Sequence, residues 1–147
     1  MKALTICVDG ASRGNPGAAG IGVVVYGRAG RIVSEISEYI GRTTNNVAEY
    51  TALIRGLEEA LRLGATSVRI RTDSQLLARQ IAGTYRVKAP HLAPLLQRAR
   101  ALLGQFDRTE VVNVPREDNA LADKLASKAA GQRPEADREE PSQLTLM

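Results

Sequence analysis

The order of the apolar segments is the feature that most constrains the fold of this chain. Three strand-like segments come first, over residues 3–9, 20–26 and 31–40. From residue 44 onward, segments with helical spacing alternate with two short strands that end at Thr72 and Val114. Strands joined by turns run antiparallel, whereas strands joined through helices run parallel. The order therefore predicts an α/β fold: a mixed five-stranded sheet of three antiparallel strands followed by parallel strands, flanked by helices.

The predicted helices begin and end at residues with suitable local chemistry. Thr44 or Asn45 caps the first helix, and Gly64 is a suitable residue to end it in the left-handed conformation. Further helices are predicted over 74–82, from Pro90 onward and over 117–130. In the first helix and in the one from Pro90, apolar side chains recur every three or four residues, which indicates that each buries one face.

The net charge of +4 is unevenly distributed along the 147 residues. After residue 130, two arginines stand against four acidic residues, so this segment has a net charge of −2 and residues 1–130 carry +6. We therefore expect one folded domain over 1–130 that suits a polyanionic partner. Pro, Glu, Gln, Arg and Ser dominate residues 131–147, which we expect to form a disordered acidic tail.

The expected compartment follows from two further observations. No stretch approaches the roughly 18 consecutive apolar residues of a membrane helix, and the start of the chain lacks a signal-peptide pattern. The single cysteine, Cys7, lies in the middle of a predicted strand, where it acts as a small buried hydrophobe. We expect a cytoplasmic, monomeric protein with no membrane partner.

Four carboxylates have settings that predict a common site. Asp9 and Asp73 each follow an apolar strand, Glu49 lies in the first turn of a helix, and Asp123 lies in the last helix. Two parallel central strands that end side by side bring Asp9 and Asp73 together at the edge where open α/β sheets bind ligands. Four acids at one place repel each other unless cations lie between them, which predicts a metal site.

Four motifs together resemble the type 1 ribonuclease H family. They lie at 9–17 (DGASRGNPG), 43–50 (TTNNVAEY), 72–75 (TDSQ) and 116–126 (REDNALADKLA). Any one of them is a weak signal, but all four occur in the order and in the strand or helix context of that family, over about residues 1–130. The chain is most similar to the compact subgroup that lacks a basic, tryptophan-rich protrusion, because it has no Trp and residues 81–90 are short.

The resemblance implies an activity and a metal arrangement. It implies metal-dependent endonucleolytic hydrolysis of the RNA strand of RNA–DNA hybrids, which leaves 5′-phosphate and 3′-hydroxyl ends. Two Mg²⁺ ions, with Mn²⁺ as a substitute, would serve a phosphodiester hydrolase of this kind. By resemblance, Asp9 bridges both ions, Glu49 and Asp73 hold one of them, and Asp123 helps to hold the other.

The resemblance also implies a set of substrate-binding residues. Residues matching Ser12, Gly14 and Asn15 contact the RNA strand in the minor groove, and Thr44 resembles the phosphate-pocket threonine for the DNA strand. Amide side chains donate and accept hydrogen bonds, so they suit minor-groove edges and the 2′-hydroxyl that distinguishes RNA from DNA. The predicted amide readers are Asn45, Asn46 and Gln75, with helix capping as the alternative for Asn45.

One departure from the family concerns the loop before the last aspartate. Well-known bacterial members have a histidine there, whereas the only histidine of this chain, His91, lies at the predicted start of another helix. We expect His91 to be a partly exposed helix residue. Arg116, as a phosphate ligand, and Glu117, as a proton carrier, are predicted to take part of the missing role. We expect slower or altered turnover rather than none.

The end of the chain predicts a partner. Residues 143–147 resemble the short peptide by which bacterial replication proteins dock on the sliding clamp, through Gln143, Leu144, Leu146 and Met147. Met stands in place of the usual terminal Phe, but it fills apolar pockets well. The alternative is a terminus without function.

Other functions of the same fold stay open. One is an inactive hybrid-binding module, and another is a related nuclease that acts on DNA ends or junctions. Double-stranded RNA is an additional possible substrate in the compact subgroup.

Overall fold

The computed structural model describes residues 2–83 and 89–132. Its strands are β1 (Ala3–Gly14), β2 (Gly17–Tyr26), β3 (Ile32–Thr43), β4 (Ser67–Thr72) and β5 (Arg108–Asn113). Its α-helices are α1 (Asn45–Arg62), α2 (Gln75–Ile81), α3 (Ala93–Leu103) and α4 (Ala120–Gly131). Short 3₁₀ turns lie at Arg28–Gly30 and Arg116–Asn119.

The five strands form one sheet in the order β3-β2-β1-β4-β5. β1 pairs antiparallel with β2, and β2 pairs antiparallel with β3. β4 lies parallel to both β1 and β5. This arrangement confirms the predicted fold class. Because β1 and β4 are parallel neighbours, both run toward the same edge of the sheet.

Helices cover both faces of this sheet. Alternate residues of β1 and β2, such as Ile6 and Val23, belong to the main core with α1 and α3. The residues between them, such as Cys7 and Val24, pack on the other face against α4. Cys7 is buried, as predicted. Among the described residues, no helix combines the length and the apolar character that crossing a membrane requires.

The ends of α1 agree with the prediction, whereas the start of α3 differs from it. Thr44 is the N-cap of α1, where its side chain accepts a hydrogen bond from the Val47 amide, and Gly64 after the helix has a positive φ. The prediction that a helix begins at Pro90 is wrong, since α3 begins at Ala93. Pro94 explains the difference, because proline suits the first turn of a helix.

The first strand is longer than predicted, which changes the setting of Asp9. β1 continues to Gly14, and β2 begins at Gly17, because the two strands stay paired up to a tight hairpin. The pairing of β1 with β4, in contrast, ends at Cys7 opposite Arg71. Asp9 is therefore not at the end of its strand. It lies just beyond the point where the sheet opens between β1 and β4.

The last helix also begins later than predicted. Residues 116–119 form a 3₁₀ turn, and α4 begins at Ala120. His91 is exposed in the turn that precedes α3 rather than within a helix. Part of the 81–90 stretch, residues 84–88, lies outside the described residues. So does almost all of the predicted tail, including the predicted clamp-docking residues Gln143, Leu144, Leu146 and Met147.

Candidate active site

The structure brings the four predicted carboxylates to one cleft. The cleft has a volume of about 460 Å³ and lies where β1 and β4 separate. Its lining residues are Asp9, Gly10, Ala11, Ser12, Asn45, Glu49, Asp73, Ser74, Arg116, Asp123 and Ser127. Because the sheet is open at this point, side chains from helices on both faces reach the same space.

Glu49 lies in the second turn of α1 rather than in the predicted first turn, and it reaches Asp9 because α1 packs closely on β1. A Cβ atom added to Gly10 would lie 2.3 Å from the carbonyl carbon of Ala48 and 2.4 Å from the Glu49 amide nitrogen. Only a glycine leaves room for the helix backbone at this distance. The Glu49 carboxylate is then held by the Asn45 side chain, which donates to Oε1 at 2.6 Å.

Asp123 reaches the cleft by an equivalent contact on the other face. Gly22 is the partner of Asp9 in the β1–β2 ladder. A Cβ atom added to Gly22 would lie 2.1 Å from the Ala122 carbonyl oxygen. The missing side chain lets α4 approach the sheet and brings Asp123 beside Asp9.

Asp73 lies between β4 and α2. The next residue, Ser74, is the N-cap of α2, and its hydroxyl oxygen accepts from the Leu77 amide at 3.1 Å. The Ser74 side chain also hydrogen-bonds to Glu49. One serine thus connects the start of α2 to the carboxylate that α1 contributes.

The electrostatics of the cleft show an excess of negative charge. Asp9 is 8% exposed, and its burial, followed by a hydrogen bond to Asp123 and the charges of its acidic neighbours, raises its pKa to about 9. Burial also raises the pKa of Glu49, against the hydrogen bonds from Ser74 and Asn45 that lower it. Burial and the charge of Asp123 raise the pKa of Asp73. Without cations these acids oppose each other's ionisation.

Arg116 supplies positive charge at the rim of the cleft. Its Nη2 atom lies 3.3 Å from Oδ1 of Asp123, and the arginine side chain is 75% exposed. Its charge also lowers the pKa of Asp73 in part. Glu117 is exposed and does not line the cleft. The structure therefore brings one of the two predicted auxiliary residues to the carboxylates, and leaves the other outside.

The donor set fits Mg²⁺. Within residues 2–83 and 89–132, no three His, Cys, Asp or Glu side chains form a ready-made set of ligands around one point. Mg²⁺ does not need such a set, because it keeps several waters and binds through one or two carboxylates. The cleft offers carboxylate oxygens at a position where negative charge is crowded and partly buried. Asp9, Glu49, Asp73 and Asp123 would hold the metal.

The predicted substrate-binding residues surround this cleft to different degrees. Ser12 and Asn45 line it. Asn15 is joined to this group because its Oδ1 atom accepts from the Asn45 amide at 3.0 Å, and Thr44 caps the same helix. The remaining three residues are exposed and do not line the cleft. Gly14 lies in the hairpin, and Asn46 and Gln75 lie in the first turns of α1 and α2.

Sequence reasoning missed several residues of the cleft. Ser74 was detectable, because a serine directly after a strand-end aspartate and before a helix is an N-cap signal. Ser127 lies one turn after Asp123, so helical spacing predicts that it shares that face. Gly10 and Gly22 have no equivalent local signal. Their contacts are with helices that follow much later in the chain.

The sheet order, the helices on both faces and the carboxylate cleft define a domain of the ribonuclease H fold. Residues 7–129 match the profile of the family described as reverse transcriptase-like. The chain belongs to this ribonuclease H-like family, and within it to the type 1 ribonucleases H, with which it aligns over most of its length.

Two curated relatives show the extent of this similarity. Ribonuclease HI of Halobacterium salinarum is 47% identical over 121 residues, which cover 82% of this chain and 61% of that protein. A bifunctional protein of Mycobacterium tuberculosis is 46% identical over 127 residues, which cover 86% of this chain and 35% of that protein. The chain thus spans about a third of the mycobacterial relative and less than two thirds of the archaeal one.

Solved structures match over nearly their whole length. RNase H1 from Halobacterium salinarum superposes with a TM-score of 0.86 at 44% identity, covering 89% of this chain and 99% of that chain. The N-terminal ribonuclease H domain of the mycobacterial protein gives 0.85 at 46%, covering 87% and 98%. LC11-RNase H1, solved in complex with an RNA/DNA hybrid, gives 0.83 at 42%, covering 88% and 97%.

Proposed function

We propose that this protein is an endonuclease that hydrolyses the RNA strand of RNA–DNA hybrids with two Mg²⁺ ions, leaving 5′-phosphate and 3′-hydroxyl ends. The observation that carries the proposal is the convergence on one cleft of four carboxylates from β1, the β4–α2 connection, α1 and α4. The relative LC11-RNase H1, at 42% identity, was solved with an RNA/DNA hybrid bound, which supports the choice of substrate.

The four carboxylates that line the cleft would bind the metal ions. Asp9 lies in contact with Asp73 and Asp123, and these three acids together with Glu49 would hold the ions. When bound, the ions lower the pKa of a water molecule and stabilise the negative charge on the leaving oxygen. Arg116 is placed to bind a phosphate beside Asp123.

The polar residues beside the cleft would position the hybrid. Ser12 and Asn45 line the cleft, and Asn15 is fixed to Asn45 by its hydrogen bond to the helix backbone. Amide groups suit the minor groove, where base edges and 2′-hydroxyls need both donors and acceptors. The exposed Asn46 and Gln75, each in the first turn of a helix that borders the site, extend this polar surface.

The test is cleavage of a labelled RNA strand annealed to DNA in Mg²⁺. We expect internal cuts in the RNA with 5′-phosphate and 3′-hydroxyl ends, lost in EDTA and reduced by about a thousandfold or more in Asp73→Asn. The matched control is Asp107→Asn, which changes an exposed acid at the opposite end of the sheet and should cut at the wild-type rate.

The same cleavage assay on other nucleic acids distinguishes the proposed function from the alternative functions. An all-DNA duplex that is cut at a similar rate would assign the chain to another nuclease of this fold. Hybrid that binds but stays intact in both Mg²⁺ and Mn²⁺ would leave a binding module. A double-stranded RNA substrate in the same assay tests the additional activity.

The wider roles stay predictions. Clearing primers and transcription hybrids, a monomeric state and a cytoplasmic location follow from the resemblance and the composition only. Clamp docking rests on the 143–147 peptide, and competition of that peptide for purified clamp tests it. No competition at high micromolar concentration would remove the clamp as a partner.

A further inference from the structure

We infer that Asn119 and Asn113 are positioning residues, which fasten the two strands that carry Asp9 and Asp73 to the chain segment that leads into Asp123. The inference rests on the proposed function, because it concerns how the carboxylates are held for metal binding. Neither residue lines the cleft. Each acts on the peptide carbonyl that directly precedes a carboxylate residue.

Asn119 makes the contact on β1. Its Nδ2 atom donates to the Val8 carbonyl oxygen at 2.9 Å, across 111 positions of sequence. Val8 precedes Asp9, and Asn119 directly precedes α4, in which Asp123 occupies the first turn. One buried side chain therefore joins the backbones that carry two neighbouring carboxylates.

Asn113 makes a corresponding contact on β4. Its Nδ2 atom donates to the Thr72 carbonyl oxygen at 3.1 Å, and the same oxygen accepts from the Val114 amide at 2.9 Å. Thr72 precedes Asp73. Both contacts come from the stretch that runs from the last residue of β5, Asn113, to the residue before α4, Asn119, so this single stretch fixes the relative positions of β1, β4 and α4.

The burial of Asn119 argues for a role beyond stability. The residue is 2% exposed, and among the described residues its Oδ1 atom has no hydrogen-bond partner. A buried amide with an unpaired acceptor costs stability relative to an apolar side chain of similar size. Such local conflicts occur where function rather than packing requires the residue.

The test is the affinity of the substrate-free protein for Mg²⁺, measured by calorimetric titration. Groups that orient metal ligands typically change metal affinity by 10–100-fold when they are removed. We expect Asn119→Ala to weaken Mg²⁺ binding by about tenfold and Asn113→Ala, with one of two donors lost, by about threefold. Hybrid cleavage by both variants should recover as Mg²⁺ is raised, with the KM for hybrid unchanged.

Two control variants separate positioning from general loosening. Val25→Ala makes a cavity in the core on the face opposite α4 and lowers Tm, so it matches the loss of stability. Ser37→Ala removes the hydroxyl that donates to the Leu125 carbonyl at 2.8 Å, so it removes one contact between β3 and α4 and leaves both asparagine contacts in place. Both should bind Mg²⁺ within about twofold of the wild type, since neither touches a carbonyl next to a carboxylate residue.

The outcomes are distinct. If the asparagine variants bind Mg²⁺ no more weakly than Val25→Ala at an equal loss of Tm, the positioning role is wrong while the proposed function stands. If the wild type neither binds Mg²⁺ nor cuts hybrid, both fail together. If Asn119→Ala does not fold, the variant of the exposed Asn113 provides the test. Normal Mg²⁺ binding by Asn113→Ala would overturn the inference.

Discussion

At the scale of single residues, Asp9 carries the strongest conflict between stability and chemistry. It is buried on the sheet and faces three other acids. Burial and like charges both oppose its ionisation, and in the proposed function a divalent cation would offset both effects. Replacing the ionisable carboxyl by an amide should therefore have opposite effects on folding and on activity.

The variant Asp9→Asn tests this conflict. In EDTA at pH 7, we expect it to raise Tm by a few degrees, from about 1–2 kcal/mol of relieved repulsion and desolvation. Hybrid cleavage should fall by about a thousandfold or more, because a metal ligand is lost. Thermal melts with and without Mg²⁺ check both parts, since only the wild type should gain Tm from the metal. A lower Tm of the variant in EDTA would contradict the account of Asp9.

Glu59 shows the opposite electrostatic balance, far from the cleft. Hydrogen bonds from Arg62 and Ser34 lower its pKa from 4.5 to about 2. The folded state therefore prefers the ionised carboxylate. This stabilisation is fully present above about pH 4.5 and is lost as the pH falls through about 2.

We predict that Glu59→Gln makes the Tm depend less on pH at acidic pH. The wild-type Tm should fall more steeply than the variant Tm between pH 4.5 and 2, and the variant should melt lower at pH 7. Glu110→Gln is the control, because Glu110 is 57% exposed in its ion pair with Arg69 and surface pairs contribute little. If the Tm of the wild type and of Glu59→Gln fell equally between pH 4.5 and 2, these hydrogen bonds would not stabilise the fold.

At the scale of elements, the position of α4 decides where Asp123 lies. The helix contacts β2 through alanines, and Gly22 lies directly beneath the Ala122 carbonyl. The two nearest atoms that an added Cβ would meet, the Ala122 carbonyl oxygen and the Ala126 amide nitrogen, belong to the helix backbone, so no side-chain rotation relieves the clash. The helix must move as a unit.

The variant Gly22→Ala should therefore displace α4. We expect a loss of about 2–3 kcal/mol of stability from overpacking, and a fall in hybrid cleavage of roughly a hundredfold from a misplaced Asp123. Gly104→Ala is the matched control, since its φ of −65° suits alanine and its nearest contact is 3.5 Å away. Thermal melts and initial rates measure both. Equal activity of the two variants would show that the close approach of α4 is not needed.

At the scale of the whole molecule, the charge of residues 1–130 bears on substrate affinity. This part of the chain carries +6 even though it includes the four clustered acids. Binding of basic surfaces to nucleic acid releases counterions, so affinity falls as salt rises.

We predict that hybrid binding weakens by about tenfold to fiftyfold between 50 and 200 mM NaCl, as expected for two or three phosphate contacts. Fluorescence anisotropy with Asp73→Asn measures binding without cleavage. Arg116→Ala should reduce the salt slope by about one contact, because we propose that its exposed guanidinium, beside Asp123, binds a phosphate. A Kd that changes less than twofold over this range would show that charge does not drive binding.

Much of the fold was predictable from sequence because its signals are local. Strand alternation, helical spacing and the capping residue Thr44 depend on neighbours within a few positions, and they correctly predicted the class of the fold. The parallel pairing of β1 with β4 also placed Asp9 and Asp73 at one edge, as the structure has them.

Only the tertiary structure decided how closely the elements approach. β1 runs past Asp9 because β2 continues to pair with it, whereas its pairing with β4 ends at Cys7 and Arg71, which opens the cleft. The room that Gly10 and Gly22 leave for α1 and α4 depends on helices that follow much later in the chain. Local sequence therefore determined the elements and the order of the acids. Contacts between distant segments set the distances among them, because packing exists only once the whole chain has folded.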